Sequence, residues 1–208
     1  MNGYGDALED ELNWREAELA SLKMLVLDSQ AGSVRRQSLL RALWTLLYAH
    51  YEGFCKFAWD FYLENLEHLG LKREDCCTAI ARFSLAKRFK ELRGDTSDES
   101  LWEACGDDFD EWMKQALQFE LRLETNYNLW PNLLRRNSSK IDLPSEVVSV
   151  NELKLKTLVA RRNDIAHGKK MVISSLDEYK LYEDAAVLVM HELAVAVLDC
   201  LENKTYLK

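Results

Sequence analysis

No proline interrupts the chain between Val34 and Leu69, and across that length Leu39, Leu43, Leu46, Leu47, Phe54, Phe57 and Phe61 recur at helical spacing. Arg41, Thr45, Glu52, Lys56 and Glu64 fall on another side. The pattern predicts one very long, largely buried central helix, and elements packed around such a helix give an all-α fold. The rest of the sequence agrees. Only two prolines and eight glycines occur in 208 residues, so very little strand is expected. With 48% hydrophobic residues, a chain of this length can bury one substantial core. The expected organisation is a single-domain helical bundle over 1–208, with long core helices and short helices inserted in a variable stretch, 70–145.

Around that centre the punctuation is clear in places. Gly5 to Ser29 reads as an amphipathic helix, broken by Gly32-Ser33. Gly70 to Leu92 reads as one or two short helices, Gly94 to Asp108 as a loop or single turn, and Asp110 to Leu123 as a helix. Trp130-Pro131 opens a short helix, because proline suits a first helical turn, and Pro144 closes it. Ser149-Val150-Asn151-Glu152 has the form of a capping box, predicting a helix from near Val150 to His167 with Gly168 in the left-handed position beyond its end. Ser175-Leu176-Asp177-Glu178 is a second box, opening a final helix through Ala185, Leu188, Val189, Leu193, Val197 and Leu201.

Several function classes are excluded at this level. The five cysteines form no CxxC pair, which disfavours a zinc knuckle and fits reduced thiols. The N-terminus lacks a basic segment followed by an apolar one, and apolar runs such as Leu43 to Tyr48 are far shorter than the ~20 residues that span a bilayer. A soluble, cytoplasmic protein without membrane contact is the expectation. No Gly-rich phosphate loop, HExxH or nucleophile elbow occurs, and neither metal nor other cofactor is expected. The net charge of −8 opposes broad nucleic-acid binding. Two basic places stand out nonetheless. Between 154 and 170, six cations (Lys154, Lys156, Arg161, Arg162, Lys169, Lys170) face Asp164 alone, and Arg82, Lys87, Arg88, Lys90 and Arg93 form a second cluster. From Gly94 to Met113, by contrast, there are eight acids and no Lys or Arg. That block is either a solvated loop or a surface that docks a basic partner or steers RNA towards the basic route.

The helix ending at His167 carries the chemistry. Arg162 continues the apolar stripe of Leu155, Leu158 and Val159, since seven residues make nearly two turns. A guanidinium there calls for an acidic side chain, another subunit or an anionic ligand; otherwise its stem packs while its head reaches solvent. His167 sits at the helix end, where the dipole favours a cation and a ligand can reach an imidazole; a plain capping histidine is the alternative. On an ideal helix Arg162 and His167 are about 140° apart, so a joint site needs a distorted helix end or a second copy.

The run Arg162-Asn163-Asp164-Ile165-Ala166-His167-Gly168 resembles the signature of HEPN-domain proteins, in particular a prokaryotic ribonuclease branch with an R-N-x-I-A-H-G motif. The likeness is clearest from Leu153 to Leu201, and Tyr48-Ala49-His50-Tyr51-Glu52-Gly53-Phe54-Cys55-Lys56 looks like the preceding core helix of one such branch. The resemblance implies a HEPN-type helical bundle acting as a metal-independent endoribonuclease, a two-fold homodimer with its motif helices facing each other, serving as a toxin or anti-phage effector under an antitoxin or other inhibitory protein. In the branch paired with a nucleotidyltransferase antitoxin the histidine is followed after one residue by a tyrosine. Gly168 and Lys169 stand here instead, which puts control by that route in doubt.

The implied chemistry needs a base for the 2′-hydroxyl, an acid for the leaving 5′-oxygen and positive charge on the phosphorane. An imidazole titrates near neutrality, so His167 can be acid or base, and Arg162 offers a permanent planar fork. Asn163 would position the phosphate or the imidazole, and Asp164 would orient His167 or pair with Arg162. Arg161, Lys169 and Lys170 are the candidate substrate-binding cations. His50, among Leu43, Leu46, Leu47, Phe54 and Phe57, reads first as a core histidine, and Glu52 as an i, i+4 partner of Lys56; both remain candidates behind the motif. A catalytically silent module binding nucleotide, RNA or protein through the same pocket is the alternative function.

Overall fold

The computed structural model describes residues 3–94 and 97–208. Ten α-helices are described, α1 (Tyr4–Leu27), α2 (Val34–His68), α3 (Thr78–Ser84), α4 (Ala86–Leu92), α5 (Asp98–Cys105), α6 (Asp107–Lys114), α7 (Pro131–Lys140), α8 (Glu146–Val150), α9 (Glu152–Ala166) and α10 (Leu176–Asn203), with one 3-10 turn at Arg73–Asp75. Among the described residues only two isolated bridges, Lys72 with Ala116 and Cys76 with Leu207, have strand-like pairing. The fold is all-α.

α2 is the axis of the bundle. It packs against α1, α9 and α10, and α10 in turn touches α1 and α9. Ser33 starts α2 by accepting from the Arg36 N–H at 3.1 Å, satisfying one of the orphan donors of the first turn. Six of its aromatic side chains, Trp44, Tyr48, Tyr51, Phe54, Trp59 and Tyr62, are essentially fully buried. Each such ring contributes about 1.5–3 kcal/mol by leaving water. Two of them are also anchored by polar atoms, Trp44 Nε1 donating to the Leu158 carbonyl at 3.1 Å and Trp59 Nε1 to Ser138 Oγ at 3.3 Å. The first bond ties α2 to the motif helix, the second to α7.

Three expectations are corrected. Gly94 to Asp108 contains a two-turn helix, α5, which Ser97 caps by accepting from the Ser100 N–H at 3.3 Å. Asp95 of the acidic block lies outside the described residues. The helix expected over Asp110–Leu123 stops at Lys114. Beyond it Leu117, Phe119 and Leu123 are buried at every second position or its multiple, a period of two that is wrong for a helix. This extended run is pinned to the end of α2 and the turn after it: the Leu117 N–H donates to the Leu71 carbonyl at 2.7 Å, and the Phe119 N–H to Glu67 Oε1 at 2.5 Å. The Ser149 capping box does not form either. Ser149 belongs to α8 and accepts from Arg135 Nη1, while Asn151 joins α8 to α9 without a side-chain cap. The Ser175 box does cap: Ser175 Oγ accepts from the Glu178 N–H at 3.1 Å, and Glu178 accepts from the Ser174 N–H, one residue earlier than in the standard box.

All five cysteines are free. Among the described residues no helix is long and apolar enough to cross a membrane. Between α1 and α2 lies a buried polar group. Arg15 pairs with Glu11 and stacks over the Trp14 and Phe54 rings, and His50 Nε2 lies 2.9 Å from Glu18 Oε2, out of line for a hydrogen bond. His50 is therefore a core histidine of the α1–α2 interface. Burial holds its pKa below the ordinary value and the Arg15 charge adds to this, with Glu18 opposing. A histidine held neutral in the native state favours unfolding once the unfolded chain protonates, so its contribution is lost as pH falls through about 6.5. Denaturant midpoints measured at about pH 7.5 and about pH 5.5 should show a smaller acid-side loss for His50→Gln than for the parent chain. Equal losses would remove His50 as the cause.

Candidate functional site

The end of α9 is shaped by backbone hydrogen bonds. The Gly168 N–H donates to the Ile165 carbonyl at 3.0 Å and the Lys169 N–H to the Asp164 carbonyl at 2.9 Å, the paired pattern that closes a helix, and Gly168 adopts the expected left-handed φ of 73°. His167, the last residue before this turn, is exposed, and no described residue bonds its side chain. It is presented to solvent at a helix end closed by two backbone hydrogen bonds.

Arg162 points the other way, towards α2 and the 125–130 segment. Its guanidinium lies over the Tyr48 ring, 3.9 Å from the centroid, and 3.5 Å from Glu52 Oε2. Nη1 donates to Asn128 Oδ1 at 3.1 Å and to Asn163 Oδ1 at 2.9 Å. The stripe position that required a partner thus has an acidic one, plus an aromatic face and two amides. Of its five N–H groups three are answered within the chain, which leaves two for a phosphate oxygen. Tyr48 is itself held: its hydroxyl accepts from the buried Leu129 N–H at 2.8 Å. Burial, and less strongly the Glu52 carboxylate, push the phenol well above its ordinary pKa, so it stays protonated as a hydrogen-bonding strut.

The other candidates divide. Asn163 is with Arg162, whereas Asp164 pairs with Lys169 at 2.6 Å and with neither Arg162 nor His167. Arg161 turns into the bundle, stacking over Trp44 and Tyr182 and pairing with Glu178. Burial alone would raise the Glu178 carboxyl; the Arg161 guanidinium and the Ser174 N–H outweigh it and hold it below the ordinary range. Arg161 is spent on that contact rather than free for substrate. Lys170 is exposed beside Lys169. Glu52 belongs to the site through Arg162 instead of forming the expected pair with Lys56, and His50, two residues away and so about 200° around α2, faces α1.

Tyr48 and Asn128 are site residues that the sequence pattern did not single out. Tyr48 precedes Glu52 by one helical turn, a spacing that could have flagged it; Asn128 sits in a loop with no periodicity. Beside the helix end, Ile165 and the α2 residues Ser38, Arg41, Ala42, Thr45 and Ala49 border a shallow depression of about 550 Å³, and Arg41 Nη2 reaches the Lys169 carbonyl at 3.5 Å. Among the described residues no group of three or more His, Cys, Asp and Glu side chains is placed to hold a metal ion.

A family model described as HEPN_MAE_28990-like HEPN matches residues 5–206. The chain belongs to this HEPN family. No curated protein matches it, and no solved structure does.

Among the described residues the Tyr48 hydroxyl is the one acceptor for the Leu129 N–H, and that bond holds the segment from which Asn128 reaches Arg162. Tyr48→Phe should lower unfolding free energy by about 1–3 kcal/mol, the cost of a buried unsatisfied donor. Asn163→Ala, at a half-buried surface pair, should cost less than about 1 kcal/mol. Chemical denaturation of both variants tests the ordering.

Proposed function

We propose that this HEPN protein is a metal-independent endoribonuclease centred on Arg162 and His167, acting as a toxin or defence effector. The observation that carries the reading is the division of labour at the end of α9. Arg162 is preset by Glu52, Asn128, Asn163 and Tyr48 with N–H groups to spare, while His167 is exposed on a closed helix end without a side-chain partner among the described residues. A preset cation can stabilise a phosphorane without reorganising, and an accessible imidazole can exchange protons with the 2′-hydroxyl and the leaving 5′-oxygen. The products would be a 2′,3′-cyclic phosphate and a 5′-hydroxyl, and DNA, lacking the nucleophile, would be inert.

Within one chain Arg162 and His167 point apart. A two-fold homodimer that apposes the ends of two α9 helices would bring the arginine and histidine of both copies around one phosphate. The shallow depression around Ile165, floored by Ala42 and Ala49, offers the small-residue surface on which another copy could approach closely. Lys169 and Lys170 would attract the RNA backbone there, Lys169 after exchanging Asp164 for phosphate. An inhibitory protein would act by covering this end.

The intrachain engagement of Arg162 favours a second reading, a catalytically silent HEPN module that binds RNA or protein at the same place. The two differ at His167. In EDTA, purified full-length protein should cleave labelled RNA to cyclic-phosphate ends, His167→Ala should slow this roughly 10² to 10⁴-fold, and sedimentation should give a dimer. Absence of His167-dependent cleavage with RNA binding retained would leave the binding module.

A further inference from the structure

The second basic cluster, which the motif does not use, is taken apart by the fold. Lys87 pairs with Glu120, and Arg88 stacks over Trp112 at 4.7 Å. The other three, Arg82, Lys90 and Arg93, converge on a cleft of about 710 Å³, where they are joined by Arg122 from the extended run and Lys140 from the end of α7. Five cations from three separate parts of the chain thus surround one cavity in a protein of net charge −8. Among the described residues bordering it none is acidic. Arg122 is answered from outside by Glu67 at 3.3 Å and Glu64 at 3.9 Å, but among the described residues no carboxylate comes within ion-pair reach of Arg82, Lys90, Arg93 or Lys140. Partial burial and the Arg136 charge lower the Lys140 pKa, so an anion beside it would be welcome.

The other described residues bordering it are apolar. Phe83 is fixed by a tilted contact with Phe119, ring centroids 5.9 Å apart, and with Phe89 and Leu121 it forms a firm hydrocarbon floor. Among the described residues no serine, threonine, asparagine, glutamine or histidine borders the cavity. The bordering Arg and Lys side chains are donors only, so the amino and N–H donors of a seated nucleobase would find no side-chain acceptor among the described residues, whereas a hydrocarbon would lose nothing. The volume lies within the range of sites that enclose small molecules. Along α2 the cleft is well removed from the motif: Glu64, which meets Arg122, is twelve residues from Glu52, which meets Arg162, or ~18 Å of helical rise.

We propose that this cleft is a binding site for a small amphipathic anion, a fatty-acyl carboxylate or alkyl phosphate, with its chain on Phe83, Phe89 and Leu121 and its head group among Lys90, Arg93 and their neighbours. The site is independent of the ribonuclease reading and does not overlap the motif. Its ligand is a free molecule rather than a bilayer, because the cleft is concave and combines its apolar floor with cations instead of presenting a flat apolar patch.

Isothermal titration of the full-length protein with dodecanoate and dodecyl phosphate, both below their micelle concentrations, tests this. The expected result is saturable one-to-one binding of both, weakened about tenfold or more in the double variant Lys90→Glu, Arg93→Glu, because each lost contact is a charge-assisted bond to the head group. Circular dichroism checks that the variant, altered only at solvent-facing groups, remains folded, and Leu121→Asp provides a second, chain-directed disruption expected to have a similar effect. Dodecyltrimethylammonium, AMP and inorganic phosphate should bind at least tenfold more weakly than dodecanoate. Failure of dodecanoate to bind overturns the proposal, as do equal binding of the dodecyl cation, AMP binding as tight as dodecanoate, or anion binding unchanged in both variants.

Discussion

The burial of α2 on nearly every side is the constraint from which the rest of the molecule follows. A helix of this length with aromatic side chains at Trp44, Tyr48, Tyr51, Phe54, Trp59 and Tyr62 cannot be covered by one neighbour. α1, α9 and α10 take three of its sides, and the extended run from Gln115 onwards covers more of it, anchored at Glu67 near one end and at Tyr48 towards the middle. Several polar atoms of this helix serve as anchors for other segments. Trp44 holds the carbonyl of Leu158, Tyr48 holds Leu129, and Glu52 holds Arg162. The motif arginine is therefore positioned by the core, and its geometry is as stiff as the packing beneath it.

How much of this could be read from the residues alone follows the range of the interactions. α1, α2, α7 and α10 were legible because their signals are local: period, proline and glycine placement, and the Ser175 cap. The left-handed Gly168 was equally local. The run after Lys114 was misread because Gln115 to Leu123 is rich in helix formers while its apolar residues alternate, and the alternation won once Leu117, Phe119 and Leu123 had a buried surface to cover. Ser149 looked like a cap until α8 claimed it. The site divides in the same way. Arg162 and His167 were visible from one helix, and the need of Arg162 for a partner was visible too. That the partner is Glu52, supported by Tyr48 and Asn128, depends on three segments meeting, and no spacing within any one of them encodes it. Asp164 and Arg161 went elsewhere because nearer partners, Lys169 and Glu178, were available.

Glu52 deserves weight in any account of the site because it works in two directions. Its charge keeps Arg162 from being an unpaired guanidinium against an apolar stripe, which would be costly. The same charge reduces the positive potential that an approaching phosphate would feel. The separation of 3.5 Å, longer than a tight ion pair, and the geometry over the Tyr48 ring leave the guanidinium held more by several modest contacts than by one strong one. Such a cation can redirect two N–H groups to a ligand without losing its place.

Charge is distributed across the whole molecule by the same logic of local answers. Lys87, Arg88, Arg161 and Lys169 each have a carboxylate or an aromatic face within the chain, so the basic runs evident in the sequence are much less basic as surfaces. Two places on opposite reaches of α2 still gather cationic or protonatable groups open to a ligand: the end of α9 with Arg162, Lys170 and the exposed His167, and the cleft bordered by Arg82, Lys90, Arg93 and Lys140. The first is a convex helix end, suited to a backbone phosphate that must remain reachable by water and by a second copy. The second is concave and floored by phenyl rings, suited to a ligand that gives up its hydration on entry. Their shapes, more than their charges, separate the two sites chemically, and a net negative chain can carry both because neither depends on the field of the protein as a whole.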